Sequence, residues 1–305
     1  MEKITKEEIE KKGIPYEKMG RTLVWHDEFD GTEIDPEKWS FDRSMNGGDR
    51  IYDNGPKQIR VEDGKLVMRS DFSGDAEKPY ILPEGLLTWN NMLFKYGYLE
   101  MRGRVPYRHG AWPAYWTQSA TPFSKAKYFS EIDIFEIYSN VNTVFSTLHK
   151  WGPKPEGKGW AHAGLDPANS LVVADNKWTY TFIDYKNLCD EYHVYGFEWD
   201  EKFTTFYVDG EQYAQFPIDE EHDFGTGILP GMQGFHDFSY VIFNNELFTE
   251  KGSWQVGAWN IKPDEKMPVE FDVDYIRLYQ KDGEEIKLTE EIQAAKKALG
   301  KNHPF

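Results

Sequence analysis

The chain has 305 residues and sets 52 Asp and Glu against 35 Lys and Arg, a net charge of −17 that repels nucleic acid and anionic membrane alike. Its mean hydropathy is −0.70, and no apolar stretch approaches the ~18–20 residues of a membrane helix. One cysteine, Cys189, excludes an internal disulfide framework and a multi-cysteine metal centre.

In chain order, Thr5-Lys6-Glu7-Glu8 reads as a capping box opening a short helix that Gly13 closes. Residues 1–13 are charged where an apolar leader would sit, so the chain either stays inside the cell or is exported by a leader outside this sequence. From there the pattern is β. Arg60–Glu62 and Lys65–Arg69 flank Asp63-Gly64, a hairpin signal, and Tyr98–Val105 and Ala111–Trp116 read as strands. Glu131–Ser139, Val144–His149 and Tyr192–Trp199 follow. Phe203–Val208 and Gln212–Phe216 flank a second hairpin signal, Asp209-Gly210, before Tyr240–Phe243 and Phe271–Tyr279. Asn46–Asp49, Gly152–Gly159 and Gly225–Gly234 are turn-rich separators. Thr289 caps a last helix, with Lys296 and Lys297 in its final turn and Gly300 just past it. Strands at this spacing without alternating helices predict one all-β, two-sheet sandwich over residues 21–282. A helical extension precedes it over 1–20, and a C-terminal helix and tail follow over 283–305; both helices are expected at the periphery.

Chemistry concentrates in Phe129–Tyr138, where three carboxylates fall within six residues of an otherwise apolar strand. Residues i and i+2 share a face of a strand, so Glu131 and Asp133 point one way and Ile132 and Ile134 into the core. Regular alternation would send Glu136 into the core, at high desolvation cost. One extra residue near Ile134-Phe135, a β-bulge, returns it to the face of the other two. Three carboxylates on one face raise at least one pKa, which leaves an acid beside an ionised base. That pair is the equipment of retaining glycoside hydrolysis. Four strand steps span ~13 Å, so converging side chains must close the gap. An acidic solvent-facing edge or a calcium site is the alternative reading, and the apolar alternation and aromatic surroundings weigh against it.

The segment resembles the Glu-x-Asp-x-x-Glu signature of glycoside hydrolase family 16. Further segments are similar to that family in order: Trp25–Gly31 with Trp39, Lys95–Arg102, Gly110–Trp116, Tyr195–Trp199, Phe206–Gly210 and Val273–Tyr279. The resemblance covers residues 25–280. It implies a β-jelly roll with a concave substrate cleft and an endo-acting retaining hydrolase, with Glu131 as nucleophile, Glu136 as acid/base and Asp133 hydrogen-bonded between them. It implies no cofactor for the chemistry. Some relatives hold a structural calcium; Glu28, Gly31 and Asp274 are the matching positions here.

Aromatics make up 16% of the chain, more flat surface than its core needs, and sugar rings stack on such faces. Trp112 and Trp116, four apart on one strand, share a face and by resemblance line the cleft. Trp89, with Asn91 beside it, Trp151, Trp160 and Trp254 are further candidate platforms in Gly/Asn-rich surroundings. A hairpin turn near Asn140-Val141 would bring His149 opposite Ile132-Asp133, where it could bond substrate or carboxylate. The histidines show no spacing for catalytic zinc. Within the family, β-1,3-glucans and mixed-linkage β-1,3(4)-glucans stand on one side and algal galactans of agar, porphyran or carrageenan type on the other. Asn46–Gly55 and Tyr240–Leu247 depart from the usual β-1,3-glucanase segments. The charge of −17 favours a neutral β-glucan over a sulfated galactan. A non-catalytic glycan-binding jelly roll is the alternative from another class, though such relatives typically lose a carboxylate. The expected partner is a polysaccharide, met outside the cell or at its surface by a monomer.

Overall fold

The computed structural model describes residues 5–42, 48–104, 108–120, 129–138, 144–153, 160–165, 191–219, 232, 234–251, 260–261 and 266–299, with the backbone alone at 152, 153, 160–165 and 299. The expected turns at Asn46-Gly47, Ser139–Asn142 and 225–231, together with Cys189, Trp254 and Gly300, lie outside the described residues.

Helix α1 (Lys6–Lys11) leads into β1 (Glu17–Lys18), β2 (Arg21–Asp27), β3 (Ser40–Asp42), β4 (Arg50–Asp53), β5 (Ile59–Glu62), β6 (Lys65–Phe72), β7 (Tyr80–Pro83), β8 (Gly85–Leu87), β9 (Met92–Lys95) and β10 (Gly97–Arg104). There follow β11 (Ala111–Ser119), β12 (Phe129–Glu136), β13 (Phe145–Pro153), β14 (Trp160–Leu165), β15 (His193–Trp199), β16 (Phe203–Val208), β17 (Glu211–Pro217), β18 (Ser239–Leu247), β19 (Val269–Gln280), β20 (Glu285–Leu288) and α2 (Thr289–Leu299). The strands form two sheets. One runs β17-β16-β15-β10-β19-β6-β7-β4, with β2 on β19 and β5 on β6. The other runs β14-β13-β12-β11-β18-β8-β3, with β9 tied to β18 and β20. The fold is a β-jelly roll, and among the described strands the pairing is antiparallel except where β4 meets β7.

Both Asp-Gly signals are tight hairpin turns with two positive φ angles: 51° and 73° at Asp63-Gly64, 51° and 81° at Asp209-Gly210. Thr5 caps α1 through the expected box with Glu8. Neither helix is free-standing. Ile9 of α1 is buried with Leu23, Tyr98 and Tyr279, and Ile292 of α2 with Leu87, Leu93 and Tyr240. Thr289 begins α2 itself, its hydroxyl donating to the Asn91 carbonyl at 3.4 Å.

The core fills the space between the sheets. Tyr115, Ile132, Ile134, Phe135 and Phe243 come from one sheet and Tyr195, Phe197, Phe271 and Ile276 from the other. Each large side chain withdrawn from water contributes roughly 1.5–3 kcal/mol. Alternation along β18 shows how this fixes the site. Val241 and Phe243 enter the core, so Tyr240, Ile242, Asn244 and Glu246 face the other way.

Candidate active site

On β12, Ile132 and Ile134 lie in the core. Pairing with β11 runs Trp116–Asp133, Tyr115–Phe135, Ala114–Glu136, so β12 advances two residues while β11 advances one. The same step appears against β13, where Asp133 pairs with Thr147 and Glu136 with Phe145. This is the bulge the sequence called for, and it sits at Ile134-Phe135. Both bulge side chains are buried; Phe135 stacks on Tyr195 at 4.7 Å and meets the edge of Phe271 at 5.8 Å. The carbonyl of Ile134 accepts from Ser146 Oγ at 2.7 Å. Burying two neighbouring side chains as core is what leaves Glu136 on the same side as Glu131 and Asp133.

Each carboxylate has a specific holder. Trp151 Nε1 donates to Glu131 Oε2 at 2.9 Å, and Trp112 Nε1 donates to Glu136 Oε1 at 2.7 Å. The Tyr138 hydroxyl donates to Glu136 Oε2. His149 Nε2 lies 2.9 Å from Asp133 Oδ2, and Asp133 also hydrogen-bonds Glu136. Indole and phenol donors stabilise negative charge without importing a full positive one. Burial nonetheless dominates. It pushes Glu131, Asp133 and Glu136 far above the carboxylate range, and the Asp133 charge raises both glutamates further. The three titrate as a unit, and at neutral pH the cluster retains a proton.

The other expected residues divide. Trp116 stands on the cleft face, its Nε1 donating to Asn244 Oδ1 at 2.7 Å. Trp151 flanks the carboxylates and stacks with Phe129 at 6.3 Å. Trp112 is not an open platform. It is 8% exposed and lies parallel to Phe248 at 4.8 Å, so it braces Glu136. His149 pairs with Glu131, not with Ile132-Asp133, and reaches Asp133 diagonally. Trp89 is half-buried: Tyr240 packs edge-on against it at 4.7 Å and Lys296 Nζ of α2 sits 5.0 Å from its ring. Asn91 is buried, and its amide donates to the Pro36 carbonyl at 2.9 Å. The side chain of Trp160 is outside what is described.

The calcium positions do not fit a calcium shell. Glu28 makes a two-point bond to Arg277 at 2.9 and 2.7 Å and also meets His26, and Asp274 pairs with Arg102. A hard cation needs oxygens that are not already neutralising guanidiniums. Among the described residues, Glu131, Asp133 and His149 form the group whose donor atoms could converge on a metal, within 4.8 Å of one another.

Sequence reasoning passed over four residues. Tyr138 was legible, since it shares the parity of Glu136. Glu246 was signalled by a carboxylate inside the otherwise apolar and amide-bearing Tyr240–Leu247. Arg50 and Tyr52, which bond Glu246 at 2.7 and 2.9 Å, carried no local signal.

Comparison with known proteins agrees with this architecture. The sequence profile of Glycosyl hydrolases family 16 matches residues 84–233. A Beta-glucanase of Rhodothermus marinus is 29% identical over 85% of this chain and 85% of its own length. Glucan endo-1,3-beta-glucosidase A1 of Niallia circulans is 25% identical over 86% of this chain, which spans 38% of that protein. A solved structure, described with endo-acting O-glycanases that prominent members of the human gut microbiota express to initiate mucin breakdown, is 27% identical. It superposes with a TM-score of 0.62, covering 91% of this chain and 95% of that one.

Proposed function

From the premise that the chain belongs to glycosyl hydrolases family 16 and is a glycoside hydrolase, we propose that it is an endo-acting, retaining β-glucanase that cuts β-1,3- or mixed-linkage β-1,3(4)-glucan. The observation that carries the mechanism is the bulge, which sets Glu131 and Glu136 on one face with Asp133 between them. Ionised Glu131 attacks the anomeric carbon while protonated Glu136 gives its proton to the departing glycosidic oxygen. The C–O bond breaks and a glycosyl ester forms on Glu131. Glu136, now ionised, takes a proton from water, and the resulting nucleophile displaces Glu131 with net retention. Asp133, bonded to both Glu136 and His149, keeps the proton inventory of the cluster in place. Every bond made or broken is handled by these carboxylates, so treatment with a chelator should leave turnover unchanged. The size of a polymeric substrate supports a reaction outside the cell or at its surface.

The test is product analysis on laminarin, barley mixed-linkage glucan, agarose, porphyran and carrageenan, with wild type, Glu131→Gln and Glu136→Gln side by side. Wild type should release short oligosaccharides from a glucan, with the β-anomer first. Both variants should lose roughly 10³-fold or more in kcat. Cleavage of a galactan alone would retain the mechanism and overturn the substrate. The likeness to the gut O-glycanase, at 27% identity, favours one second reading, an endo-hydrolase of mucin-type O-glycans, so these join the panel.

A further inference from the structure

Crossing from β12 over β11 to β18, about two strand spacings or ~10 Å, the cleft face leads to a cavity of about 150 Å³. Trp116, Gln118, Asn244, Glu246 and Asp42 are among its walls, and among the described residues no Lys or Arg lines it. Glu246 is only 2% exposed. Its Oε2 is fixed by Arg50 Nη1 at 2.7 Å and by the Tyr52 hydroxyl at 2.9 Å. Among the described residues its other oxygen, Oε1, has no partner. The neighbouring amides are half-used in the same way. Asn244 Oδ1 accepts from Trp116 and Gln118 Oε1 from the Tyr240 hydroxyl, while Asn244 Nδ2 and Gln118 Nε2 have no partner among the described residues.

The cavity thus presents one buried, immobilised acceptor, a second carboxylate at Asp42, two amide donors and an indole face. We propose that it is a sugar subsite selective for an uncharged, hydroxyl-bearing pyranose, with Glu246 as its specificity-determining acceptor. The proposal rests on the reading of the chain as a polysaccharide hydrolase and narrows its substrate class. A ring lying against Trp116 donates a hydroxyl to Glu246 Oε1 and accepts from Asn244 and Gln118. Hydroxyls satisfy such a set, because each both donates and accepts. A sulfate ester or uronate meets Asp42 and Glu246 with no free cation among the described lining residues. Arg50 stands behind Glu246, already tied to it and to the Leu247 carbonyl. Like charges brought together in a part-dry site repel strongly.

Calorimetric titration of Glu131→Gln, which should bind without turning over, tests this. The neutral probes are laminarihexaose, a mixed-linkage glucan hexasaccharide and neoagarohexaose; the sulfated probe is a κ-carrageenan hexasaccharide. At least one neutral probe should bind, and the sulfated one at least tenfold more weakly. Adding Glu246→Gln or Gln118→Ala should raise the Kd for the neutral probe about tenfold, ~1.4 kcal/mol. If Glu246→Gln fails to fold, judged by its melting transition, Gln118→Ala and the sulfate comparison decide. Unchanged Kd in the folded double variants, equal or tighter binding of the sulfated probe, or no binding of any probe overturns the subsite. Wild-type turnover is scored separately: the expected binding pattern without products would sink the hydrolase reading and leave the subsite standing.

Discussion

Trp151 gives its indole N–H to Glu131, while Trp112 and Tyr138 give theirs to Glu136, so each glutamate can be addressed alone. All three bonds favour the ionised carboxylate and pull against burial. Removing one therefore raises the pKa of its own glutamate. Tyr138→Phe should move the alkaline limb of kcat/KM to higher pH, because Glu136 then keeps its proton longer. Trp151→Phe should move the acid limb to higher pH instead, because Glu131 ionises later. A charge-assisted bond of ~1.4 kcal/mol corresponds to about one pH unit. Initial rates from pH 4 to 9 read both limbs. If both variants shift the same limb, the assignment of nucleophile and acid/base fails.

At the scale of elements, strands whose residues alternate and whose turns carry Asp-Gly were legible, and so was the bulge, because a bare Glu136 in the core would be untenable. Elements held by partners distant in sequence were not. The pairing of β4 with β7 and the docking of α2 over Trp89 depend on tertiary neighbours that no local pattern encodes. For the same reason Trp112 looked like a platform. Its position on the strand gave the face, but only packing shows Phe248 filling its ring. The calcium positions failed similarly, since Arg277 and Arg102 approach from other strands. Close approach between elements also sets tolerance to substitution. A Cβ at Gly196 on β15 would lie 2.5 Å from the Tyr98 hydroxyl and about 3 Å from its ring carbons. Gly196→Ala should therefore cost ~1–3 kcal/mol of stability. In thermal unfolding it should melt lower than wild type, and the gap should shrink when Tyr98→Leu is added.

For the whole molecule, a cluster of three carboxylates, Asp133 and Glu136 buried and Glu131 half-buried, is a liability that function accounts for. In the unfolded chain Asp and Glu titrate near pH 4; in the folded state burial lifts the titration of this cluster well above that range. Between those limits the folded state holds more protons than the unfolded one, so the cluster's contribution to stability is full below about pH 4 and is lost as pH rises through the folded pKa. Glu131→Gln removes part of that loss. Its Tm relative to wild type should be nearly unchanged at pH 5 and higher at pH 8, by ~2–4 °C for each kcal/mol recovered. A constant difference across the range would mean that the carboxylates are ionised throughout. The core between the sheets tolerates this internal conflict because its apolar contacts lie on the opposite side of β12.

The bulge has a genetic corollary. Two glutamates five positions apart share a face when the strand bulges, and four positions apart when it does not. Gain or loss of one codon between Asp133 and Glu136 therefore preserves the carboxylate side and changes only whether one or two residues fill the core beneath it. A single in-frame event can therefore interconvert the bulged and unbulged forms while keeping the constellation. Any alignment of this strand with an unbulged one must open a one-residue gap there, or it will match Glu136 to a core side chain.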